Sequence, residues 1–388
     1  MSADNGTPRR LGRRRATIVA AATAAGLVVI GAPITAMALT GTFAGHGTPA
    51  ANAPVASAGW TSRTALTKAA LTAISKAAGP DPDYYAYVAA STGDEVVEVN
   101  VAAAAIVGEI STDTADGVAA TPDGSELYIA DTGQYYVLAA NPATGAETKI
   151  EVGPYPQDVA VSPSGNLVYA TVTGGDTGPG GSNAVAVIDP ATNTVTGDIT
   201  VGTAPRQVVF SPNGSAAYVT TETGIYVIDT ATSAVTQVIP DLGGSPQGIA
   251  VSPDGSALYV TNPDAGTLLK ISAATGRIIG STPAGAEPQA VAVTPNGSTL
   301  YVADMNSDSV SVIDAATLRV TGTISVGRLP MSVAVSPDGS QVWVGNGFSG
   351  SVSIIATAAN SVIATVGGGP GTSTLDAAIT GIAFAPAP

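Results

Sequence analysis

The tetrapeptide Ser252-Pro253-Asp254-Gly255 is one copy of a phrase that occurs six times in this chain of 388 residues. Every copy has Ser or Thr, then Pro, then Asp, Asn or Ser, then Gly. The copies lie at residues 121–124, 162–165, 211–214, 252–255, 294–297 and 336–339. Successive copies are 41, 49, 41, 42 and 42 residues apart. A fixed period of this size indicates a repeat architecture.

Each phrase lies between two short apolar runs. Val159-Ala160-Val161 precedes one copy, for example, and a run that contains Tyr169 follows it. Pro presets φ at the first corner, Asp or Asn bonds back to the backbone, and Gly accepts positive φ, so the phrase predicts a tight hairpin between two strands. Two further strand-like runs follow in each unit. Four strands in about 40–45 residues are typical of one β-propeller blade.

The two ends of the repeat region predict a seventh blade. Residues 86–89, 95–99 and 106–110 read as second, third and fourth strands that lack a first strand. Residues 381–386 read as a first strand that lacks the other three. We therefore expect an all-β fold with seven four-stranded antiparallel blades, closed by pairing the C-terminal strand with the N-terminal blade. Such closure would remove an exposed sheet edge.

The repeat resembles the YVTN family of seven-bladed propellers, which includes surface-layer and YncE-like proteins. The signature stands as Tyr259-Val260-Thr261-Asn262, and more loosely at residues 218–221 and 301–304. The resemblance covers about residues 84–386. It implies the fold and says little of function, because propellers carry many unrelated activities.

The N-terminal region has a different composition. Five arginines between Arg9 and Arg15 precede an apolar run, and Ala36-Met37-Ala38 has the form of a cleavage site. We interpret residues 1–38 as a signal peptide, with an uncleaved membrane anchor as the alternative. Residues 39–82 read as an Ala/Pro/Gly-rich linker with a short helix at about 64–78, and residues 83–388 as the propeller. An extracellular or cell-surface location follows from the export signal.

Charge and cysteine content restrict the partners. From Asp83 onward the chain has six bases and 27 acids, a net charge of −21. Such a surface repels phosphate backbones, so we expect no nucleic-acid partner. The absence of cysteine excludes disulfides and thiolate chemistry. We expect a monomer that meets a membrane only through an uncleaved N-terminal segment, and whose partner is a small molecule, a cell-wall component or a protein.

Histidine is missing from the predicted propeller, because the chain's single histidine is His46 in the linker. Ser-His-Asp triads and Cys-His pairs are therefore excluded there. Any general acid or base must be Asp, Glu, Lys or Tyr.

One position in each repeat is predicted to surround the mouth of the central channel. It is the second residue before the first Val or Ile of the innermost strand. We call these seven the rim residues, and we predict that they bind a ligand: Asp116, Gln157, Arg206, Gln247, Gln289, Met331 and Thr380. Arg206 could hold a carboxylate or a sugar oxygen. The alternative is that the recurring Gln side chains bond to the next blade and only stabilise the ring.

Three other segments carry weaker signals. Asp304, Asn306 and Asp308 alternate like calcium ligands, but turn formation explains them equally well. The Gly-rich insertion at residues 173–182 is a surface turn or part of a binding rim. Tyr135-Tyr136 and Tyr155 either form a stacking patch for a sugar or peptide, or pack between blades.

Three functional hypotheses remain. We favour a secreted or cell-surface module that binds a ligand or protein without catalysis, needs no cofactor and has no catalytic residue. The second hypothesis is an extracellular hydrolase or lyase, lactonase-like, using carboxylates and a divalent metal at the channel mouth. The third is a purely structural component of the cell envelope.

Overall fold

The computed structural model describes residues 84–174, 183–367 and 378–387. The predicted signal peptide, linker and helix, and most of the Gly-rich insertion, lie outside these ranges. Within them, the strands form seven separate four-stranded antiparallel sheets. The predicted fold class, a seven-bladed β-propeller, is therefore confirmed.

Strands are numbered β1 to β28 in chain order. Innermost in the blades are β4 (Ala115–Ala120), β8 (Pro156–Val161), β12 (Val208–Phe210), β16 (Ile249–Val251), β20 (Pro288–Val293), β24 (Pro330–Val335) and β28 (Ile379–Pro386). Second are β1 (Tyr84–Ala90), β5 (Leu127–Asp131), β9 (Val168–Val172), β13 (Ala216–Thr221), β17 (Ala257–Asn262), β21 (Thr299–Asp304) and β25 (Gln341–Asn346).

The outer halves of the blades follow the same order. Third are β2 (Glu95–Asn100), β6 (Tyr136–Asn141), β10 (Ala184–Asp189), β14 (Gly224–Asp229), β18 (Thr267–Ser272), β22 (Ser309–Asp314) and β26 (Ser351–Ala356). Outermost are β3 (Ala105–Ser111), β7 (Ala146–Glu151), β11 (Thr194–Thr200), β15 (Ala234–Pro240), β19 (Ile278–Pro283), β23 (Val320–Ser325) and β27 (Ser361–Gly367). A single 3₁₀ turn in the described residues, Met305–Ser307, joins β21 to β22.

The ring closes where the sequence predicts. Strand β28 pairs antiparallel with β1, with Tyr87 opposite Ala383 and Tyr84 opposite Pro386. Innermost strands of neighbouring blades contact one another around the whole ring, including β24 with β28 and β28 with β4. Closure therefore places seven innermost strands around one channel.

The recurring phrase forms the predicted hairpin. In the copy at Asp254, the Oδ1 atom accepts hydrogen bonds from the Ser252 hydroxyl at 2.5 Å and the Ser256 N–H at 3.0 Å. Gly255 has φ of +72°, a conformation that favours glycine. The hydrogen bonds of this turn hold the pKa of Asp254 at about 2.

The phrases also interlock around one face of the ring. A Cβ atom built on Gly255 would lie 3.6 Å from Pro212 of the preceding phrase, and one on Gly297 would lie 3.4 Å from Pro253. At Gly124, whose preceding blade has no phrase, Pro386 at the end of β28 takes the place of the missing proline. Each Pro and Gly of the phrase is thus fixed by two blades at once.

Hydrophobic side chains pack between adjacent blades. One aromatic on each second strand is buried: Tyr87, Tyr128, Tyr169, Tyr218, Tyr259, Tyr301 and Trp343. The Tyr128 hydroxyl donates to Asn193 of the next blade at 2.7 Å, and Tyr301 donates to Asn360 at 2.6 Å. The described residues contain no helix long and apolar enough to span a membrane.

The closing strand yields a test of the ring. Ile379 of β28 is fully buried against Trp343 and Val352, so Ile379→Ala should lower the free energy of unfolding by about 2–4 kcal/mol. The matched control is Ile363→Ala, because Ile363 lies on β27 and is 56% exposed. We expect that variant to stay within about 0.5 kcal/mol of the wild type. Urea unfolding measures the free energy of unfolding of both variants. An equal loss of stability in the two variants would contradict the closure of the ring through β28.

Candidate functional site

The seven rim residues line a single cavity of about 330 Å³ at the mouth of the channel. Each comes from a different blade, at or just before its innermost strand. The structure therefore brings together all the residues that the sequence predicts for this site. Their role in binding a ligand stays a prediction.

Two further rings of side chains lie below the rim. The residues that follow the rim residues form the second ring: Gly117, Asp158, Gln207, Gly248, Ala290, Ser332 and Gly381. The next residues along the strands that line the cavity are apolar: Val118, Val159, Val208, Val291, Val333 and Ile382. The site is thus a funnel with a polar mouth above an apolar floor, an arrangement common in small-molecule sites.

Threonine hydroxyls position the rim across blade boundaries. Thr171 accepts a hydrogen bond from the Asp158 N–H at 3.0 Å within its own blade, and donates to the Arg206 carbonyl of the next blade at 2.7 Å. Thr220 and Thr261 repeat the arrangement, donating to the Gln247 carbonyl at 2.8 Å and to the Gln289 carbonyl at 2.9 Å. We call these three hydroxyls the threonine bridges. They fix the backbone of the rim relative to the neighbouring blade.

In addition to the threonine bridges, the second ring, rather than the predicted Gln residues of the rim, supplies side chains that join blades. The Asp158 carboxylate accepts a hydrogen bond from the Val208 N–H at 3.0 Å, and the Gln207 amide oxygen accepts one from the Ile249 N–H at 2.7 Å. In the rim, Gln157 instead donates to the Tyr155 carbonyl of its own turn at 3.3 Å. The rim amides are therefore not the main fastening of the ring.

Two carboxyl groups from adjacent blades share the funnel. Burial, with a smaller contribution from the Asp116 charge, raises the pKa of Asp158 to about 7 against the opposing hydrogen bonds from the N–H groups of Val208 and Val159. Burial also raises the pKa of Asp116, against hydrogen bonds from Thr132 and Thr380. The Thr132 hydroxyl donates to Asp116 at 3.0 Å. The Asp158 carboxyl can therefore take up or release a proton near neutral pH.

Arg206 contributes the cation of the funnel. Its main chain is held on both sides, because its N–H donates to the Thr220 carbonyl at 2.8 Å and its carbonyl accepts from Thr171. Its Nε is buried and has no hydrogen-bond partner within residues 84–174, 183–367 and 378–387. A buried donor without a partner is costly, and a ligand oxygen would satisfy it.

The other predicted segments lie apart from the funnel. Asp304 is buried and accepts hydrogen bonds from Gly285 at 3.0 Å and Ser311 at 2.6 Å, while Asp308 accepts one from Leu329 at 2.8 Å. These carboxylates therefore have structural partners, and calcium binding there stays a prediction. Among the described residues, no three His, Asp or Glu side chains form a group that could hold a metal ion.

The three tyrosines divide between the two predicted roles. Tyr136 is 5% exposed and packs between blades, whereas Tyr135 and Tyr155 are 46% and 48% exposed. The rings of Tyr135 and Tyr155 meet edge to face, with centroids 5.5 Å apart. Packing therefore explains Tyr136 and leaves the other two as a surface patch.

Sequence reasoning missed Asp158 and Gln207. Both directly follow a rim residue, at a position where most other blades have Gly, Ala or Ser. That contrast was visible in the repeat alignment and could have identified them. The threonine bridges had a signal too, because Thr261 is the third residue of the Tyr-Val-Thr-Asn signature.

Comparisons with known proteins agree with this architecture. The model of the family "Lactonase, 7-bladed beta-propeller" matches residues 183–317 and 276–365. Among solved structures, hydrazine synthase of Kuenenia stuttgartiensis is similar at 23% identity and a TM-score of 0.63, over 69% of this chain and 91% of that chain. A functionally unknown protein from Desulfotomaculum acetoxidans DSM 771 is similar at 14% identity and a TM-score of 0.66, over 78% of this chain and 99% of that one. A search of curated proteins found no match. At these identities the structural likeness concerns the fold alone.

The raised pKa of Asp158 predicts a pH-dependent stability. Because folding favours the protonated carboxyl, the stabilisation is complete below about pH 4 and is lost as the pH rises through about 7. Asp158→Asn keeps an acceptor for Val208 and cannot ionise. The variant should therefore become more stable relative to the wild type as the pH rises. Its free energy of unfolding minus that of the wild type should be about 1–2 kcal/mol larger at pH 8 than at pH 5.

Urea unfolding at the two pH values measures this difference. The control is Asp254→Asn, since Asp254 lies in an exposed turn and its pKa of about 2 keeps it ionised throughout this range. The effect of that substitution should not change between pH 5 and pH 8. A pH-independent effect of Asp158→Asn would contradict the raised pKa.

Proposed function

We propose that this chain is a secreted or cell-surface β-propeller that binds a small, oxygen-rich molecule, such as an organic acid or a sugar, at the channel mouth without catalysis. The observation that carries the proposal is Arg206, whose buried Nε lacks a partner among the described residues. Charge-assisted hydrogen bonds from arginine to ligand oxygens are strong and directional. The site is thus built to accept an oxygen from outside the protein.

The surroundings of Arg206 support a polar ligand. Gln157 and Gln247 belong to the neighbouring blades on either side of Arg206 and line the same cavity. Their amides both donate and accept, and Asp116 adds an acceptor. The cavity of about 330 Å³ lies at the small end of the usual range for ligand sites. Export, a monomeric state and the finer resemblance to YVTN proteins are parts of the same proposal, supported by the sequence.

A second candidate is the hydrolysis of a lactone, favoured by the family model and by the Asp116–Asp158 pair. Asp158 as carboxylate would take a proton from water while the water oxygen adds to the lactone carbonyl. The ring C–O bond would then break, and its oxygen would receive the proton from Asp158, giving a hydroxy acid. Arg206 would stabilise the negative oxygen formed on the way. Since the described carboxylates do not form a three-ligand metal site, no step is assigned to a metal.

A thermal-shift screen of organic acids, sugars, metal ions and peptidoglycan fragments tests the binding function, because a ligand of the native state raises the melting temperature. For any ligand found, Arg206→Gln should raise Kd about tenfold or more by calorimetry. Arg277→Gln is the matched control, since Arg277 is exposed and outside the cavity. Wild-type affinity in Arg206→Gln would contradict the proposed role of Arg206 in binding, and a screen without any ligand would favour a purely structural role.

Hydrolysis is tested separately by incubating the protein with a panel of lactones and following acid release. If the second candidate holds, Asp158→Asn should reduce kcat by about 100-fold or more, because the base is lost while its hydrogen bond to Val208 can remain. Activity that survives this substitution would remove Asp158 from the reaction. Absence of acid release by the wild type across the panel would leave the binding function alone.

A further inference from the structure

Tyr135 and Tyr155 form an exposed aromatic pair beside the funnel. Tyr155 directly precedes Pro156 and Gln157, and the Gln157 amide that lines the cavity donates to the Tyr155 carbonyl at 3.3 Å. Tyr135 is brought alongside from the turn between β5 and β6, where its carbonyl accepts from the Val152 N–H at 3.2 Å. The aromatic patch is therefore continuous with the mouth of the site and held on rigid turns.

The backbone at Tyr155 is a feature of the repeat, but the aromatic ring is not. Tyr155 has φ of +53°, and the equivalent residues before the rim prolines of other blades share this conformation: Ala204 (48°), Glu287 (52°) and Leu329 (50°). The left-handed backbone therefore recurs at this position in four blades, although not at Ser245, and it accepts a methyl group. It gives no reason for a tyrosine.

Tyr135 departs further from its equivalents. It has φ of +67° at the residue before the third strand, and the matching residues in other blades are ones that adopt positive φ at low cost: Asp94, Gly266, Asp308 and Gly350. A bulky aromatic in this conformation is strained, and its ring is 46% exposed, so little burial offsets the strain. Neither packing nor the backbone accounts for this residue.

From this pair we infer that the site binds a saccharide of two or more rings, one in the funnel and the next against Tyr135 and Tyr155; the inference rests on the proposed function. Hydroxyl groups donate and accept, which suits a mouth that offers both Arg206 donors and Asp116 acceptors. The apolar faces of sugar rings suit exposed tyrosines, which present an apolar body with a polar tip. A hydrophobic peptide would meet too many polar groups in the funnel.

Two substitutions, each to a residue that another blade has at the equivalent position, distinguish an effect on binding from an effect on folding. Tyr135→Gly installs the residue present at Gly266 and Gly350, and Tyr155→Ala installs the one present at Ala204. Both variants should keep the wild-type melting temperature or exceed it. Phe348→Ala is the matched control, because Phe348 is 63% exposed in a turn of another blade, where Arg328 stacks on its ring at 4.2 Å.

The probes are N-acetylglucosamine and galacturonic acid, each from the single sugar to the tetramer, titrated into the full chain by calorimetry. Wild-type affinity should rise from the single sugar to the longer chains. Tyr135→Gly and Tyr155→Ala should each weaken binding of the longer chains by about two- to tenfold and leave the single sugar unaffected. Phe348→Ala should change neither.

Each other result of these titrations would overturn either the aromatic subsite or the saccharide inference. If Arg206→Gln abolishes binding while both tyrosine variants bind the longer chains like wild type, the aromatic subsite is wrong and the proposed function stands. An equal loss in Phe348→Ala would also overturn the subsite. If wild type binds none of these sugars, the saccharide inference is wrong. The thermal-shift result for organic acids then decides the proposed function by itself.

Discussion

The hydrogen bond from a second-strand threonine to the rim of the next blade is the interaction on which the site depends. Each threonine bridge joins a main-chain N–H of one blade to a main-chain carbonyl of its neighbour through one hydroxyl. A rotation between two blades would break the bond from the hydroxyl to the neighbouring carbonyl and leave buried polar groups unpaired, which costs more than the bond itself contributes. The threonine bridges therefore fix the angle between the blades that they join at the level where the funnel opens. They also fix the position of the Arg206 main chain.

This lock lets side chains at the mouth vary without loss of the fold. The rim residues range from Arg206 and Asp116 to Met331 and Thr380, although each lies at or just before the innermost strand of its blade. Where a side chain does join blades, as at Asp158, the same group sits in the funnel and titrates near neutral pH. Structural and chemical roles are thus combined at Asp158, and Gln207 and Thr380 also line the funnel while bonding to the next blade.

The sequence predicted the fold almost completely, because the phrase of Pro, Asp or Asn, and Gly encodes its own turn and repeats at a fixed period. The rim was predictable for the same reason, since its position follows from the register of the innermost strand. Asp158 and the unpartnered Nε of Arg206 were not, because burial and hydrogen-bond satisfaction depend on contacts between blades. The strain at Tyr135 likewise could be recognised only from the φ angles of its equivalents in other blades.

The contacts between the Pro and Gly residues of neighbouring phrases restrict sequence change on one face of the ring more than on the other. On the face that carries the phrases, a side chain at Gly255 would be strained at its φ of +72°, and its Cβ would contact Pro212 of the neighbouring copy, so change in one copy is constrained by another. On the opposite face, the turns tolerate residues as different as Tyr135 and Gly266 at one conformation. A ring that arose by duplicating a blade can thus keep one face as an invariant frame and acquire new specificities on the other.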